Sequence, residues 1–441
     1  MSPHDHTARI VDTDAGAPGE QERNRYDELP YRSLPVEWSA PERLALCSVL
    51  HGGPRVSLKS YRVLELGCGD GANLIALAYY RRHARFVGVD GSAGAIARAR
   101  ARCLELGLQN VHFEHADFGE LGQRFDLPFD FILAHGVFSW VSHETRDSLL
   151  SWCKRLLSRA GLLYLNYNTK PGWNVRGMVR EFLLSQTAHA SSLAERTRLA
   201  QEIAASMAGS MATQSHPYMQ LMANEYRFVC DAHPSYVAHE FLAEHNHAYW
   251  RSEFLELSRA AGFQHVADAD FNYESGRIAP TLPAQITAAG LGGPRLDDTI
   301  DLLSYRQLHS PVFTHHGEPQ RSPGAQEFSE LFLACELRSL GSSASAPWRM
   351  AHPTGREVEI AQKVLHDVLA ATATRWPAGG RIGALFGDVT PWLDDLVLLH
   401  RYAMIELRMP GEASPPSAAE LNAREWAWGG YRTSPFHRCE F

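Results

Sequence analysis

The 441-residue sequence has few cysteines, and no two of them are spaced as a pair. The absence of any CxxC motif gives no sign of a zinc site or a disulfide framework, and scattered cysteines are typical of free thiols in a reducing compartment. We therefore expect a cytoplasmic protein. The seven cysteines are Cys47, Cys68, Cys103, Cys153, Cys230, Cys335 and Cys439.

An excess of positive charge is also missing. The chain has 42 Lys and Arg against 50 Asp and Glu, for a net charge of -8 with histidine neutral. Such a chain has no overall basic field, which disfavours nucleic acid as the main partner. No apolar run approaches the ~20 residues of a membrane span, and the N-terminus is polar and acidic where a signal peptide is basic and then apolar. We expect no membrane partner and a disordered tail over residues 1–25.

The composition that is present, 45% hydrophobic and 21% charged, is that of a globular protein of two or three domains. Between residues 61 and 168, short apolar runs alternate with longer helical stretches, which predicts a parallel sheet wrapped by helices. Ser92 is placed to cap one helix and Gly107 to end it. The predicted fold class is α/β, a doubly wound Rossmann-like sheet with strands at Arg62–Leu66, Phe86–Val89, Asn110–Phe113, Phe129–Ala134 and Leu162–Asn168.

The whole chain divides into six predicted parts. Strands at Phe263–Phe271 and Pro311–His315 are expected to return to the sheet after a helical insertion. The parts are a tail (1–25), the first part of the sheet domain (26–173), a helical lid or regulatory insertion (174–250), the resumed sheet domain (251–320), a connector (321–345) and a winged-helix-like domain (346–441). In the last part, one helical face is expected to carry Val358, Ala361, Leu365 and Val368, before a helix at Leu393–Leu399 and a strand at Ile405–Met409.

The strongest motif is VLELGCGDGANLIALA at residues 63–78, where an apolar strand runs through three alternate glycines into a helix. Backbone without side chains can approach a ligand at such a helix N-terminus, which indicates a nucleotide-like cofactor. The same letters fit the dinucleotide fingerprint, so this turn alone does not separate NAD from S-adenosylmethionine. A carboxylate at Glu65 suits the ammonium of a methionine moiety and repels a pyrophosphate, which favours S-adenosylmethionine.

Two further acids follow the next two strands. Asp90 ends the second strand, where a carboxylate can take both ribose hydroxyls. Asp117 follows the third strand, where it can accept the adenine amino group while Phe118 lies against the ring. Three acids after three successive strands are more specific than a glycine turn alone.

With these residues, the chain resembles the class I S-adenosylmethionine-dependent methyltransferases. Four segments resemble the branch with a methyltransferase regulatory domain, which includes the rickettsial protein-lysine methyltransferases: YDELPYRSLPVEWSAPERLA (26–45), FDFILAHGVFSWV (129–141), LNYNTKPGW (165–173) and HEFLAEHNHAYW (239–250). The chain departs from that family at Ala40-Pro41, where His-Pro is usual. The predicted cofactor is S-adenosyl-L-methionine, with S-adenosyl-L-homocysteine as product, bound by Tyr31, Glu65, Gly67, Cys68, Gly69, Gly71, Asp90, Gly91, Ser92, Asp117, Phe118 and His135.

Methyl transfer is an in-line displacement, so the protein must align a nucleophile, exclude water and give its proton a route. The ends of the fourth and fifth strands are expected to face the methyl group. The predicted catalytic residues are His135, Tyr167 and Asn168. For His135 the alternative is a contact to the cofactor. For Tyr167 and Asn168 the alternative is stabilisation of the turn after the strand. The substrate slot is predicted to be walled by Phe138, Trp140, Tyr167, Asn168 and Trp173. Core packing is the alternative for Phe138, Trp140 and Trp173.

The predicted function is methyl transfer to a protein or peptide side chain at nitrogen, on lysine or an amide. The resemblance also covers enzymes that mature ribosomal peptide natural products, in which a winged helix could hold the peptide. Two alternatives stay open, a small-molecule methyltransferase and a non-enzymatic regulator that senses S-adenosylmethionine. No metal site is predicted, because no Cys or carboxylate completes a ligand pattern around the paired histidines.

Overall fold

The structure is a computed structural model that describes residues 25–31, 33–118, 121, 124–125, 127–270, 282–291, 294–318, 321, 323–341, 347–410, 432–433 and 439–440. Of the predicted tail, Arg25 alone belongs to these residues. Phe271, the predicted end of the sixth strand, and residues 342–346, at the end of the predicted connector and the start of the last domain, lie outside them.

A seven-stranded mixed sheet with flanking helices forms the centre of the fold. The first nine strands along the chain are β1 (Arg62–Leu66), β2 (Arg85–Asp90), β3 (Val111–His115), β4 (Phe129–Ala134), β5 (Leu157–Leu165), β6 (Tyr167–Asn168), β7 (Phe263–Asp268), β8 (Leu308–His309) and β9 (Pro311–His315). The sheet order is β3-β2-β1-β4-β5-β9-β7. β1 to β5 pair in parallel, whereas β9 is antiparallel to both of its neighbours. The predicted Rossmann-like sheet is confirmed.

Apolar side chains cover both faces of the parallel strands. Val63 and Phe86 belong to a buried cluster on one face, and Leu64 and Val89 belong to a second cluster on the other. Successive residues of a strand point to opposite faces, so a strand buried on both sides must be a nearly continuous apolar run. The polar residues that follow these runs therefore lie at the carboxyl edge of the sheet.

The fifth strand differs from its predicted span, Leu162–Asn168. β5 begins at Leu157, which pairs with Phe129 of β4, and it ends at Leu165. The chain leaves the sheet at Asn166, whose side-chain Oδ1 accepts the backbone N–H of Gly136 at 2.6 Å. It then pairs again, as β6, with β8 in a separate two-stranded ladder.

Helices cover the two faces of the sheet. Ser92 caps α4 by accepting the N–H of Ala95 at 3.0 Å, and Gly107 follows that helix with φ +59°, as predicted. Ala40 and Pro41, where the family usually has His-Pro, are the N-cap and first residue of α2. The helices before the insertion are α1 (Arg25–Glu28), α2 (Pro41–Leu50), α3 (Ala72–Tyr80), α4 (Ala93–Glu105) and α5 (His143–Leu156).

The stretch after β6 is helical, as its composition predicts. It comprises α6 (Gly172–Gln186), α7 (Leu193–Ala212), α8 (Pro217–Asp231), α9 (Pro234–Tyr236) and a π-helical turn at Val237–Phe241. These helices have a hydrophobic core of their own, which includes Val179, Leu183 and Phe241. The chain returns to the sheet through α10 (Arg251–Ala260), and α11 (Leu282–Ala288) and α12 (Pro294–Ser304) precede β8.

The C-terminal part contains two small sheets. β10 (Phe332–Ala334) lies between β14 (Gly380–Arg381) and β15 (Glu406–Arg408), and β12 (Trp348–Ala351) lies between β11 (Arg338–Gly341) and β13 (Glu357–Ile360). The remaining elements are α13 (Ala325–Glu330), α14 (Lys363–Ala373), α15 (Ile382–Phe386), α16 (Leu393–Arg401), β16 (Arg432–Thr433) and β17 (Cys439–Glu440).

The prediction of one helical face for Val358 and Leu365 was wrong. Val358 lies in β13, where the order EVEI alternates charged and apolar residues and pairs with β12. Leu365 lies in α14, whose apolar side joins the core of the C-terminal part. Leu46 and Leu50 of α2 belong to the same core, so this part packs directly on the sheet domain. Among the described helices, none is long and apolar enough to cross a bilayer.

Candidate cofactor and methyl-acceptor site

The glycine turn between β1 and α3 has a backbone that only glycine adopts without strain. Gly67, Gly69 and Gly71 have φ of +70°, +54° and +77°. A Cβ at Gly71 would come within 2.5 Å of the Phe113 ring, and one at Gly67 within 2.4 Å of Val137 Cγ2. The turn is therefore both left-handed and closely packed, and it exposes backbone at the N-terminus of α3.

Glu65 is a buried carboxylate at the end of β1, with 4% of its surface exposed. Asn73 donates to its Oε1 at 2.8 Å, while Asn73 Oδ1 accepts the N–H of Val36 at 2.9 Å. Glu65 Oε2 is buried and has no hydrogen-bond partner among the described residues. Burial, with a smaller effect of the Asp90 charge, raises the pKa of Glu65 to about 8. An enclosed carboxylate oxygen without a donor fits a site that a ligand ammonium completes.

Asp90 at the end of β2 ties the glycine turn to the next helix. Its Oδ2 accepts the N–H of Gly69 and its Oδ1 accepts the N–H of Ser92, both at 2.8 Å. Burial raises the pKa of this carboxyl, and the two backbone N–H groups oppose that effect. Each oxygen keeps a lone pair for a further donor, so two ribose hydroxyls fit here. The Gly91 carbonyl accepts from His115 Nε2 at 3.2 Å.

The remaining predicted cofactor residues have different environments. Asp117 is exposed, whereas Phe118 is partly buried and its ring lies beside Gly67. Cys68 is buried, and burial raises the pKa of its thiol well above the ordinary value. Ser92 is buried as the cap of α4, and its Oγ donates to Asp27 Oδ1. Phe118 and the glycine turn thus share one edge, where an adenine ring would lie.

An N-terminal strap, made of the described residues 25–31 and 33–36, crosses this edge. Asp27 accepts the N–H of Gly94 at 3.2 Å, in addition to its bond from Ser92. On the other side, Tyr26 stacks on His239 with ring centroids 4.2 Å apart, and Tyr31 donates to Glu240 Oε1 at 3.5 Å. The strap therefore joins the cofactor edge of the sheet to the helical insertion.

His135, at the end of β4, is held by a hydrogen-bond network that fixes its tautomer. Asn166 Oδ1 accepts from Gly136, so its Nδ2 is the donor to His135 Nδ1 at 3.0 Å. Tyr164 OH lies 2.9 Å from the same nitrogen. Burial lowers the pKa of His135 to about 4, so the ring is neutral at pH 7. Because Nδ1 accepts, the proton of the neutral ring is on Nε2.

The other predicted acceptor-side residues fall into two groups. Trp140 and Trp173 meet edge to face with centroids 5.4 Å apart, next to the insertion. Phe138 and Tyr167 are core residues, 0% and 2% exposed, that pack on Phe254, with the Tyr167 ring stacked at 3.7 Å. The structure thus places Phe138 in the packing role that was its alternative in the sequence, and it places Tyr167 in the same core, where neither of its sequence-based roles had put it.

Asn168 is also buried. It donates through Nδ2 to Asn246 Oδ1 at 3.2 Å, and its backbone N–H bonds Ser139 Oγ at 2.8 Å. This places it between the end of the sheet and the insertion. Across the described ranges, no three side chains of the metal-binding types cluster as a metal site.

Sequence reasoning missed three residues that organise this site. Asn73 donates a hydrogen bond to Glu65, Asn166 donates one to His135, and Glu240 accepts one from Tyr31. The sequence does contain a feature that could have indicated Asn73 and Asn166, because each is an amide directly beside an apolar run that reaches the cofactor edge. Glu240 carries none, because its partner lies 209 residues away in the sequence.

Comparison with known proteins agrees with this geometry. Residues 63–161 match the family described as "Methyltransferase domain". Residues 63–161 therefore form a methyltransferase domain. The match runs from β1 into β5 and includes the glycine turn, Asp90 and His135.

Relatives extend the similarity beyond the methyltransferase domain. Protein RP789 of Rickettsia prowazekii is 30% identical over 315 residues, which cover 71% of this chain and 57% of RP789. Protein RP028 of the same organism is 28% identical over 239 residues, 54% of this chain and 95% of RP028. The chain thus spans little more than half the length of RP789.

Among solved structures, PKMT2 from Rickettsia typhi in complex with AdoHcy superposes with a TM-score of 0.73 at 20% identity. The superposition covers 92% of this chain and 81% of PKMT2. The likeness therefore concerns the fold of the insertion and the C-terminal part as well as the sheet domain.

Proposed function

We propose that the chain is a methyltransferase that acts on a nitrogen of a protein or peptide side chain, lysine or an amide. The observation that carries the proposal is that the insertion and the C-terminal part join the methyltransferase domain in a fold similar to that of PKMT2 over 92% of the chain. A substrate that is itself a chain can be held at one of these parts while it is methylated at another. We assign the holding role to the winged-helix-like residues 346–441.

The residues around the glycine turn would hold the cofactor. Glu65 would pair with its ammonium through the free Oε2, Asp90 would accept from the ribose hydroxyls, and Phe118 would lie against the adenine. When bound, S-adenosylmethionine supplies a methyl group on a positively charged sulfur. The N-terminal strap and the insertion would exclude water from that group, which favours displacement by a nitrogen nucleophile.

His135 would orient groups at the site and would not take a proton in this state. Its Nδ1 already accepts from Asn166, and its Nε2 carries the ring proton. A pKa lowered to about 4 also makes the ring a weak base at neutral pH. A proton released by the acceptor nitrogen must therefore leave through another group.

Transfer of isotope from methyl-labelled S-adenosylmethionine tests the proposal. The full chain is incubated with a pool of synthetic peptides and a small-molecule extract together, and mass spectrometry follows the label in each fraction. We expect label in the peptide fraction, its loss in Asp90→Ala, and its retention in Glu105→Ala, which removes an exposed carboxylate at the end of α4. Label confined to small molecules would instead establish a small-molecule methyltransferase.

A further inference from the structure

Glu240 lies on the π-helical turn of the insertion, among aromatic rings that belong to two parts of the chain. Tyr31 of the strap donates to Glu240 Oε1 at 3.5 Å, and this is the one hydrogen bond made by the Glu240 carboxylate to the described residues. The negative charge of Glu240 also raises the pKa of Tyr26 and of Tyr236, after the larger effect of burial. Three tyrosines from the strap and the insertion therefore surround one carboxylate.

Within the described part of the chain, no cation forms an ion pair with the Glu240 carboxylate. Arg176 is the described cation whose charge acts on Glu240, but its Nε bonds Glu225 at 3.1 Å and its guanidinium lies over Phe228 at 4.3 Å. Burial raises the pKa of Glu240 to about 8. An enclosed carboxylate is costly to keep charged unless a partner supplies the opposite charge. A cationic ligand is such a partner, and tyrosine rings around a cation are a known mode of ammonium recognition.

The position of Glu240 connects it to the methyltransferase site. The ring of Tyr26 stacks on His239, the neighbour of Glu240, and the charge of Asp90 contributes to raising the pKa of Tyr26. On the other side, Phe241 contacts Trp173 with ring centroids 6.1 Å apart, and Trp173 meets Trp140. Glu240 thus lies between the ribose end of the cofactor site and the tryptophans predicted to wall the acceptor slot.

We propose that Glu240, with Tyr26 and Tyr31, binds the methyl acceptor as a primary ammonium and takes one proton from it. This inference rests on the proposed function and decides between its two acceptor types, in favour of lysine. The proton moves from R–NH₃⁺ to the Glu240 carboxylate and then to water. The freed lone pair of R–NH₂ forms the N–C bond while the C–S bond breaks and its electrons remain on sulfur.

The competing explanation is that Glu240 only anchors the strap through Tyr31. Glu240→Gln separates the two roles, because an amide oxygen still accepts from Tyr31 but cannot carry charge. Glu244→Gln is the matched control, since Glu244 is an exposed carboxylate four residues further along the same segment. Binding of S-adenosylhomocysteine reports whether the strap and the cofactor site remain intact.

The first test uses calorimetric binding of N-acetyl-lysine methylamide and its neutral norleucine analogue to the full chain saturated with S-adenosylhomocysteine. We expect the lysine probe to bind more tightly than the norleucine probe. Glu240→Gln should weaken lysine binding roughly tenfold or more, because a desolvated charge pair is lost. Glu244→Gln should change neither probe, and all three proteins should bind S-adenosylhomocysteine alike.

Equal binding of the two probes, or equal binding of lysine by wild type and Glu240→Gln, would overturn the inference. So would a loss of S-adenosylhomocysteine affinity in Glu240→Gln as large as its loss of lysine affinity. This readout needs no turnover, so it decides the role of Glu240 even if no peptide is methylated and the proposed function fails. Conversely, methylation of peptides on amides alone would refute the inference and leave the proposed function standing.

The pH profile of methyl transfer to a lysine peptide gives a second test. The groups that face Glu240 are the guanidinium of Arg176 and the phenols of Tyr26, Tyr31 and Tyr236, and burial raises the pKa of each of these phenols, so they stay neutral near neutral pH. In wild type, kcat/KM should rise as pH passes about 8, where Glu240 becomes a carboxylate. In Glu240→Gln, that rise should shift towards the ordinary lysine pKa of about 10.4. Identical profiles in the two proteins would contradict proton transfer to Glu240.

Discussion

Replacing Glu65 by Gln should stabilise the protein without cofactor and weaken its binding of cofactor. The folded chain holds this carboxyl in a buried site, where Asn73 is its one donor among the described residues, and burial raises its pKa to about 8. In the unfolded chain the pKa is near the ordinary value of about 4.3. The folded state therefore binds an extra proton between these two pH values, and its stability falls as pH rises through that range.

The size of the effect follows from the same two pKa values. At about 1.4 kcal/mol per pH unit, the carboxylate destabilises the fold by at most about 5 kcal/mol above pH 8. Gln removes this cost but leaves a buried amide N–H₂ where Oε2 has no partner, which costs about 1–3 kcal/mol. We expect Glu65→Gln to be about 2 kcal/mol more stable than wild type near pH 8.5, and to lose this advantage near pH 5.5.

Urea unfolding of both proteins at the two pH values, without cofactor, measures this difference. Both proteins also contain the other described carboxyls whose pKa is raised, so the contributions of these groups largely cancel in the comparison; they are Glu37, Asp90, Glu240 and Asp270. Calorimetry should show S-adenosylhomocysteine binding weakened roughly tenfold or more in the variant, because the ligand ammonium loses its counter-charge. A stability difference that does not change with pH, or an unchanged affinity, would refute the assigned role of Glu65.

Two further predictions concern the glycine turn and the histidine. Gly71→Ala should lower the free energy of unfolding by about 3 kcal/mol, because a Cβ would meet the Phe113 ring at 2.5 Å. Gly107→Ala should lower it by about 1 kcal/mol, because that left-handed residue has open space around it. Equal losses of the two variants in urea unfolding would contradict this. Nitrogen NMR should show a neutral His135 ring with its proton on Nε2 down to about pH 5, and a titration near 6.5 would refute the described network.

The sheet was predictable because its strands are buried on both faces. β1 and β4 occupy the predicted residues, since a continuous apolar run bounded by polar residues leaves little choice of register. The end of the fifth strand was not predictable from that pattern. Asn166 interrupts it by bonding Gly136, a contact between two chain segments that periodicity does not encode.

The positions of the three acids could also be predicted, because Glu65, Asp90 and Asp117 each lie at or just after the end of a strand, at one edge of a parallel sheet. Their local environments could not. The contacts of Glu65 depend on Asn73, whose side chain is oriented by the N–H of Val36. The hydrogen bond of Glu240 comes from Tyr31, which lies 209 residues away in the sequence. In the C-terminal part, Val358 fits either a helical face or an alternating strand, and pairing with β12 decides between them.

Peptide amine methylation, proposed here for this chain, can be followed by tandem mass spectrometry. A lysine-containing peptide is incubated with the full chain and methyl-labelled S-adenosylmethionine. We expect the label on the lysine side-chain nitrogen, with Glu240→Gln slowing its appearance and Glu244→Gln leaving it unchanged. Label on a small molecule alone, with the peptide unmodified, would show that the chain does not methylate peptide amines.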